Sequence, residues 1–101
     1  MNHIKIIVPF HNVEKWILYN IRSVKLQEYK NYECILVSDG TTDNTISKIE
    51  KEIDGDDRFK LVYNPQRTGA LGSTNYGIEM AQPSDEDIIV ILDGDDWLSI
   101  M

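Results

Sequence analysis

Asp93-Gly94-Asp95-Asp96 is the stretch of this sequence best equipped to do chemistry. It follows directly on Ile88-Ile89-Val90-Ile91-Leu92, an apolar run that reads as a buried strand. Three carboxylates packed just past a strand end repel one another, and a divalent cation among them turns that repulsion into attraction. Hard carboxylate oxygens suit Mn²⁺ or Mg²⁺, ions that bridge readily to phosphate oxygens. The bland alternative is a solvated acidic turn. The position after a buried strand, with Trp97 alongside, favours Asp93, Asp95 and Asp96 as metal ligands.

The elements that must carry this turn alternate along the chain. Ile4 to Pro9 is a short apolar strand, and Asn12 is a candidate cap for a helix from about Val13 to Gln27. Val13, Trp16, Ile17, Ile21 and Val24 recur at helical spacing and read as its core face. Tyr32 to Ser38 is a second strand, with Cys34 inside its apolar run. Thr42 or Asp43 opens a helix through about Ile53, striped by Ile46, Ile49 and Ile53. Asp54 to Asp57 and Asp85 to Asp87 read as solvated charges. Phe59 to Tyr63 is a third strand, Gly69 to Ala81 a helix weakened by Gly72 and Gly77, and Asp87 to Leu92 the fourth strand. Strands alternating with helices through short connections imply an α/β fold, a mainly parallel sheet flanked by helices. Ile6, Val8, Ile35, Val37, Ile89 and Ile91 are its expected core.

In such a sheet the strand ends meet on one edge, where ligands bind near the switch in strand order. Four polar clusters then converge: Pro9 to Asn12, Ser38 to Asp43, Asn64 to Gly69, and Asp93 to Asp96. Other motif readings fail on spacing. Gly69, Gly72 and Gly77 follow the third strand rather than the first, unlike a dinucleotide fingerprint, and Ile78 stands where a phosphate loop needs Lys. The acids between Asp39 and Glu50 imitate a calcium-binding loop, but Asn44 replaces its glycine and the second half is helical in period.

Composition narrows the partners. The chain has 101 residues and a formal net charge of −7, which argues against nucleic acid or an anionic membrane as its main partner. A single cysteine excludes a disulfide framework. No apolar stretch approaches a membrane span and no signal peptide is evident, so a cytoplasmic location is expected.

Five segments occur in a particular order: Ile7-Val8-Pro9-Phe10-His11-Asn12, Ser23-Val24-Lys25-Leu26-Gln27, Val37 to Thr45, Asn75-Tyr76-Gly77-Ile78, and Leu92-Asp93-Gly94-Asp95-Asp96-Trp97. In that order the chain resembles family 2 glycosyltransferases of the GT-A fold, over essentially its whole length. The resemblance implies a Rossmann-like, nucleotide-sugar-binding half, with residues 1–101 forming a donor domain truncated after the D-x-D motif. It implies that backbone around Pro9 and His11 lines the base pocket and that Asp39 contacts the uracil or ribose of a UDP-sugar. A fixed carboxylate selects an N–H or O–H donor by direct hydrogen bonding. Arg67 and Gly69 lie in the loop expected to close over base and sugar. Asp95 would bind the metal, Asp93 ribose or metal-bound water, and Asp96 is a further candidate ligand. The metal, Mn²⁺ or Mg²⁺, would act as a Lewis acid on the diphosphate leaving group.

Simpler roles stand beside these. Asp39 could be a turn acid, Arg67 a surface cation, and His11 a loop histidine paired with backbone, the last favoured over a catalytic role. Ser38 and Thr74 depart from the family pattern, which often has Asp and Arg there. The resemblance places the catalytic base and the acceptor site, for a glycan, lipid or protein, in a C-terminal half beyond these residues. Surface uncovered by that half is expected to promote homo-oligomers. The alternative to a transferase is a non-catalytic nucleotide- or metal-binding module.

Overall fold

The computed structural model describes residues 3–65 and 68–99. Seven elements alternate: β1 (Ile4–Phe10), α1 (Ile17–Lys25), β2 (Tyr32–Ser38), α2 (Thr45–Ile53), β3 (Phe59–Tyr63), α3 (Gly69–Ala81) and β4 (Ile88–Ile91). The four strands form one parallel sheet in the order β3-β2-β1-β4. The chain moves outward from β1 through β2 to β3, then returns to the far side of β1. Crossovers of one hand put α1 and α2 on one face and α3 on the other. The side chains follow this division. Ile6, Val8 and Leu36 pack with Ile17, Ile21, Val24 and Ile49, whereas Ile7, Ile35 and Val37 pack with Ala81 of α3. The switch in strand order falls between β1 and β4, so the crevice of such a sheet opens beyond their C-terminal ends.

Local chemistry explains two shifted boundaries. Asn12 has φ 48°, in the left-handed region, and does not cap α1. Its Oδ1 accepts from the N–H groups of Thr42 (2.8 Å) and Asp43 (3.2 Å), tying the β1–α1 loop to the β2–α2 loop. Val13 to Trp16 form a tight turn, and α1 starts at Ile17. α2 starts at Thr45, whose N–H and hydroxyl both donate to Asp43 Oδ1.

Burial departs from expectation at three residues. Ile6, Val8, Ile35 and Val37 are buried, but Ile89 is 39% and Ile91 45% exposed. β4 is an edge strand, and α3 packs mainly over β1 and β2. Trp16 is 42% exposed because it precedes the helix and stacks on Trp97, with ring centroids 6.5 Å apart. Asp56 is more than a solvated charge, since it accepts from the Arg58 backbone and guanidinium at 2.8–3.1 Å. Cys34 is buried, and burial pushes its thiol pKa up. No helix among the described residues is long and apolar enough to cross a membrane.

Candidate functional site

A cleft of about 310 Å³ opens at the switch point. The end of β1 supplies Pro9, Phe10 and His11; β2 supplies Asp39; the first turns of α3 supply Ala70 and Ser73; the exit of β4 supplies Asp93, Gly94 and Asp95.

Asp39 is 6% exposed, and its two carboxylate oxygens have different surroundings. Oδ2 accepts the Gly69 N–H at 3.0 Å, joining the end of β2 to the start of α3. Gly69 takes φ 81°, a conformation that glycine reaches without steric cost. Oδ1 is buried with no partner among the described residues. A buried carboxylate oxygen without a donor is costly, so this atom points to a ligand that brings one. The backbone of Asp39 is fixed on both sides. Its N–H donates to the Phe10 carbonyl at 2.9 Å, and its carbonyl lies 2.7 Å from His11 Nδ1. A carbonyl only accepts, so Nδ1 carries the hydrogen.

The acidic turn extends the β4 pairing past the strand. Leu92 N–H donates to Ile7 O (2.9 Å) and Gly94 N–H to Pro9 O (3.1 Å). A Cβ on Gly94 would lie 2.5 Å from Phe10 Cβ, so only glycine lets the turn sit this close to β1. Asp96 N–H closes the turn on Asp93 O at 3.0 Å. This geometry separates the three acids. Asp93 and Asp95 line the cleft, whereas Asp96 does not, and its Oδ1 accepts the Trp97 N–H at 3.0 Å. Among the described residues no three His, Cys, Asp or Glu side chains come close enough to hold a metal ion together. The triplet read from the sequence is therefore a pair facing the cleft plus one acid held by its neighbour's backbone.

Arg67 lies outside the described residues. Two contributors escaped the sequence reading. Ser73 accepts from Asn64 Nδ2 at 3.2 Å and steadies the β3–α3 loop. Asn20 on α1 donates to the carbonyls of Asp93 and Asp96. Its signal was a polar residue among Ile17, Ile21 and Val24.

Known proteins resemble this chain in sequence and in fold. The family model described as glycosyl transferase family 2 matches residues 5–100. An uncharacterized glycosyltransferase of Haemophilus influenzae is 41% identical over 95% of this chain and 37% of its own length. The Escherichia coli protein named UDP-Glc:alpha-D-GlcNAc-diphosphoundecaprenol beta-1,3-glucosyltransferase WfgD is 35% identical over 95% of this chain and 36% of its own. This chain thus spans little more than a third of these relatives. Among solved structures, S. aureus TarS in complex with UDP-GlcNAc superposes with a TM-score of 0.81 at 23% identity, over 94% of this chain and 27% of that one. The mannosyltransferase PcManGT from Pyrobaculum calidifontis, in complex with GDP-Man and Mn²⁺, gives 0.80 at 24% identity, over 92% and 27%. These likenesses show the fold, the Rossmann-like α/β unit of GT-A enzymes, while the match along nearly every residue and the curated relatives show the lineage: the chain belongs to glycosyl transferase family 2.

Proposed function

We propose that residues 1–101 form the donor-binding domain of a glycosyltransferase, taking a UDP-sugar together with Mn²⁺ or Mg²⁺ for transfer to a glycan, lipid or protein acceptor. The observation that carries the reading is the divided carboxylate of Asp39, with Oδ2 engaged by Gly69 and Oδ1 buried and open. One open oxygen suits one donor. Uracil offers a single ring N–H, whereas the adjacent N–H groups of guanine are matched best by both oxygens of a carboxylate. WfgD, named for UDP-Glc, and TarS, solved with UDP-GlcNAc, support a uridine donor, while PcManGT is solved with GDP-Man.

Asp93 and Asp95 offer the hard oxygen ligands that Mn²⁺ or Mg²⁺ prefers, two rather than a full set. Diphosphate oxygens would complete the shell, so metal and nucleotide should bind together. When bound, the ion neutralises charge on the diphosphate leaving group. Pro9 and His11 line the same cleft and are assigned to the base pocket, and Gly69 holds Asp39 in place. Arg67 is assigned to the loop over base and sugar from sequence alone. We also propose self-association through β4, whose outer side is uncovered among the described residues, and a cytoplasmic location.

Calorimetry of the chain with UDP and GDP, each with Mn²⁺ or with EDTA, tests the reading. UDP should bind more tightly than GDP, and Mn²⁺ should tighten it. Asp95→Ala should abolish the metal effect. A preference for GDP, or tight Mn²⁺ binding without nucleotide that survives Asp95→Ala, overturns it.

A further inference from the structure

Asn20 lies at 0% exposure on the α1 face that otherwise carries Ile17, Ile21 and Val24. Its Nδ2 donates to the carbonyls of Asp93 and Asp96, at 3.0 Å each. Its Oδ1 is buried with no partner among the described residues. A buried amide with an unmet acceptor is costly, and an apolar side chain of the same shape avoids that cost. Both donated bonds end on one target, the first and last residues of the acidic turn. The same Asp93 carbonyl accepts the Asp96 N–H that closes the turn. One helical turn further on, Ser23 Oγ accepts from Leu98 N–H at 2.9 Å and secures the exit. The opposite side of the turn is held by Gly94 on Pro9. The directions of Asp93 and Asp95 are thus fixed partly from α1, by a side chain that does not line the cleft.

We propose that Asn20 is a positioning residue that holds the acidic turn ready for the divalent cation accompanying the donor diphosphate. This rests on the donor-site reading above. Ordering a loop upon binding lowers affinity, and a turn already held avoids that loss. The contact of Asp39 belongs to β2 and α3, so Asn20 acts on the metal-assisted part of binding and leaves the base contact alone.

The test uses Asn20→Leu, which removes both donors at nearly constant shape, and Asn20→Ala. UDP affinity is measured by calorimetry with saturating Mn²⁺ and with EDTA, and amide hydrogen exchange is followed without ligand. Both variants should lose about tenfold or more of the tightening by Mn²⁺, with EDTA affinity within about twofold of the parent. Exchange should quicken across residues 93–98 and stay unchanged across 39–45. Asn20→Leu fills the same space, so a pure packing role would leave both its Mn²⁺ effect and its exchange at 93–98 like the parent's, whereas loss of the two donated bonds changes both. An unchanged Mn²⁺ effect, or equal losses with Mn²⁺ and with EDTA, overturns the proposal. If the parent chain shows no Mn²⁺ effect, the donor-site reading fails. Exchange alone then decides, faster at 93–98 supporting the clamp and unchanged overturning it.

Discussion

Asp39 spends one oxygen on the fold and keeps the other open. That division predicts opposite effects on stability and binding when the charge is removed. Asn at position 39 can still accept the Gly69 N–H through its carbonyl oxygen, which leaves its NH₂ group facing the open position. A donor now meets the ligand's donor, and a charge-assisted hydrogen bond worth roughly 1.5–3 kcal/mol is lost. Asp39→Asn should therefore weaken UDP binding by about tenfold to a hundredfold in calorimetry. The same change removes a buried charge with an unmet oxygen, so the melting temperature without ligand should hold or rise. Weakened binding with a large loss of stability would make Asp39 a structural acid first. This division of labour was not legible in the sequence. The residue type and its place after β2 identified Asp39 as a candidate, but its partner is a backbone N–H of α3 that only the folded chain brings near. Asp96 shows the reverse problem. Its type marks it as a candidate ligand, and only the folded chain shows that one of its oxygens accepts the Trp97 N–H.

The elements were legible where pattern and punctuation are local. β2, β3 and α3 fall at the bounds expected from apolar runs ended by Gly, Pro or charged turns. α1 was not, because a left-handed Asn12 looks like a cap in sequence while it serves another loop. The exposure of β4 was illegible for a different reason, since burial depends on what covers a strand. Gly77, which weakens the helical pattern of α3, has a packing explanation. A Cβ there would lie 2.6 Å from Ile7 Cγ2 and 2.8 Å from Val37 Cγ2. Both neighbours are β-branched, stiff and wholly buried. Alanine improves helix propensity by about 1 kcal/mol, but overpacking costs about 1–3 kcal/mol. Gly77→Ala should lower the urea midpoint, and a raised midpoint would mean that α3 shifts freely on the sheet. The charged ties between elements predict an acid limit. Glu33 on β2 bridges Lys5 on β1 (3.1 Å) and Lys60 on β3 (2.9 Å). Burial pushes its carboxyl pKa up, but hydrogen bonds from Lys60 and Lys5 outweigh this and hold it below the usual range. Glu52 is likewise lowered by Lys25 and Arg22 against the effect of burial, and Asp56 is lowered chiefly by Arg58. A carboxyl depressed in the folded state stabilises it fully above the unfolded pKa, and that contribution fades as pH falls through the folded one. Thermal melts should be flat from neutral pH to about 5 and fall below about 4. Glu33→Gln should start lower at neutral pH and fall less steeply. An identical slope would remove Glu33 from the acid response.

At the scale of the whole molecule, the sheet has two unequal edges. The cleft sits beyond the strand ends, while the outer side of β4 presents Ile88, Ile89 and Ile91 with no cover among the described residues. An open, apolar edge strand is a template for another strand, and β4 carries none of the charges or prolines that usually blunt such edges. Lys5, opposite Ile89 in the register of β1 and β4, is already paired with Glu33. Two copies meeting across a two-fold axis at β4 would pair antiparallel, bury the isoleucines and continue the sheet through both. The net charge of −7 opposes this at long range, so salt should promote it. Sedimentation should show association that strengthens with concentration and ionic strength. Ile89→Lys with Ile91→Lys should leave monomers by setting a charge pair on each facing edge. The cleft proposed for the donor opens at the sheet's C-terminal edge rather than along β4, so this double variant should bind UDP as the parent does. A parent chain that stays monomeric at high concentration and high salt would show that the β4 edge is protected by its twist and short length alone. An associated double variant would place the contact elsewhere, with the exposed Trp16, Tyr19 and Trp97 cluster the next surface to alter.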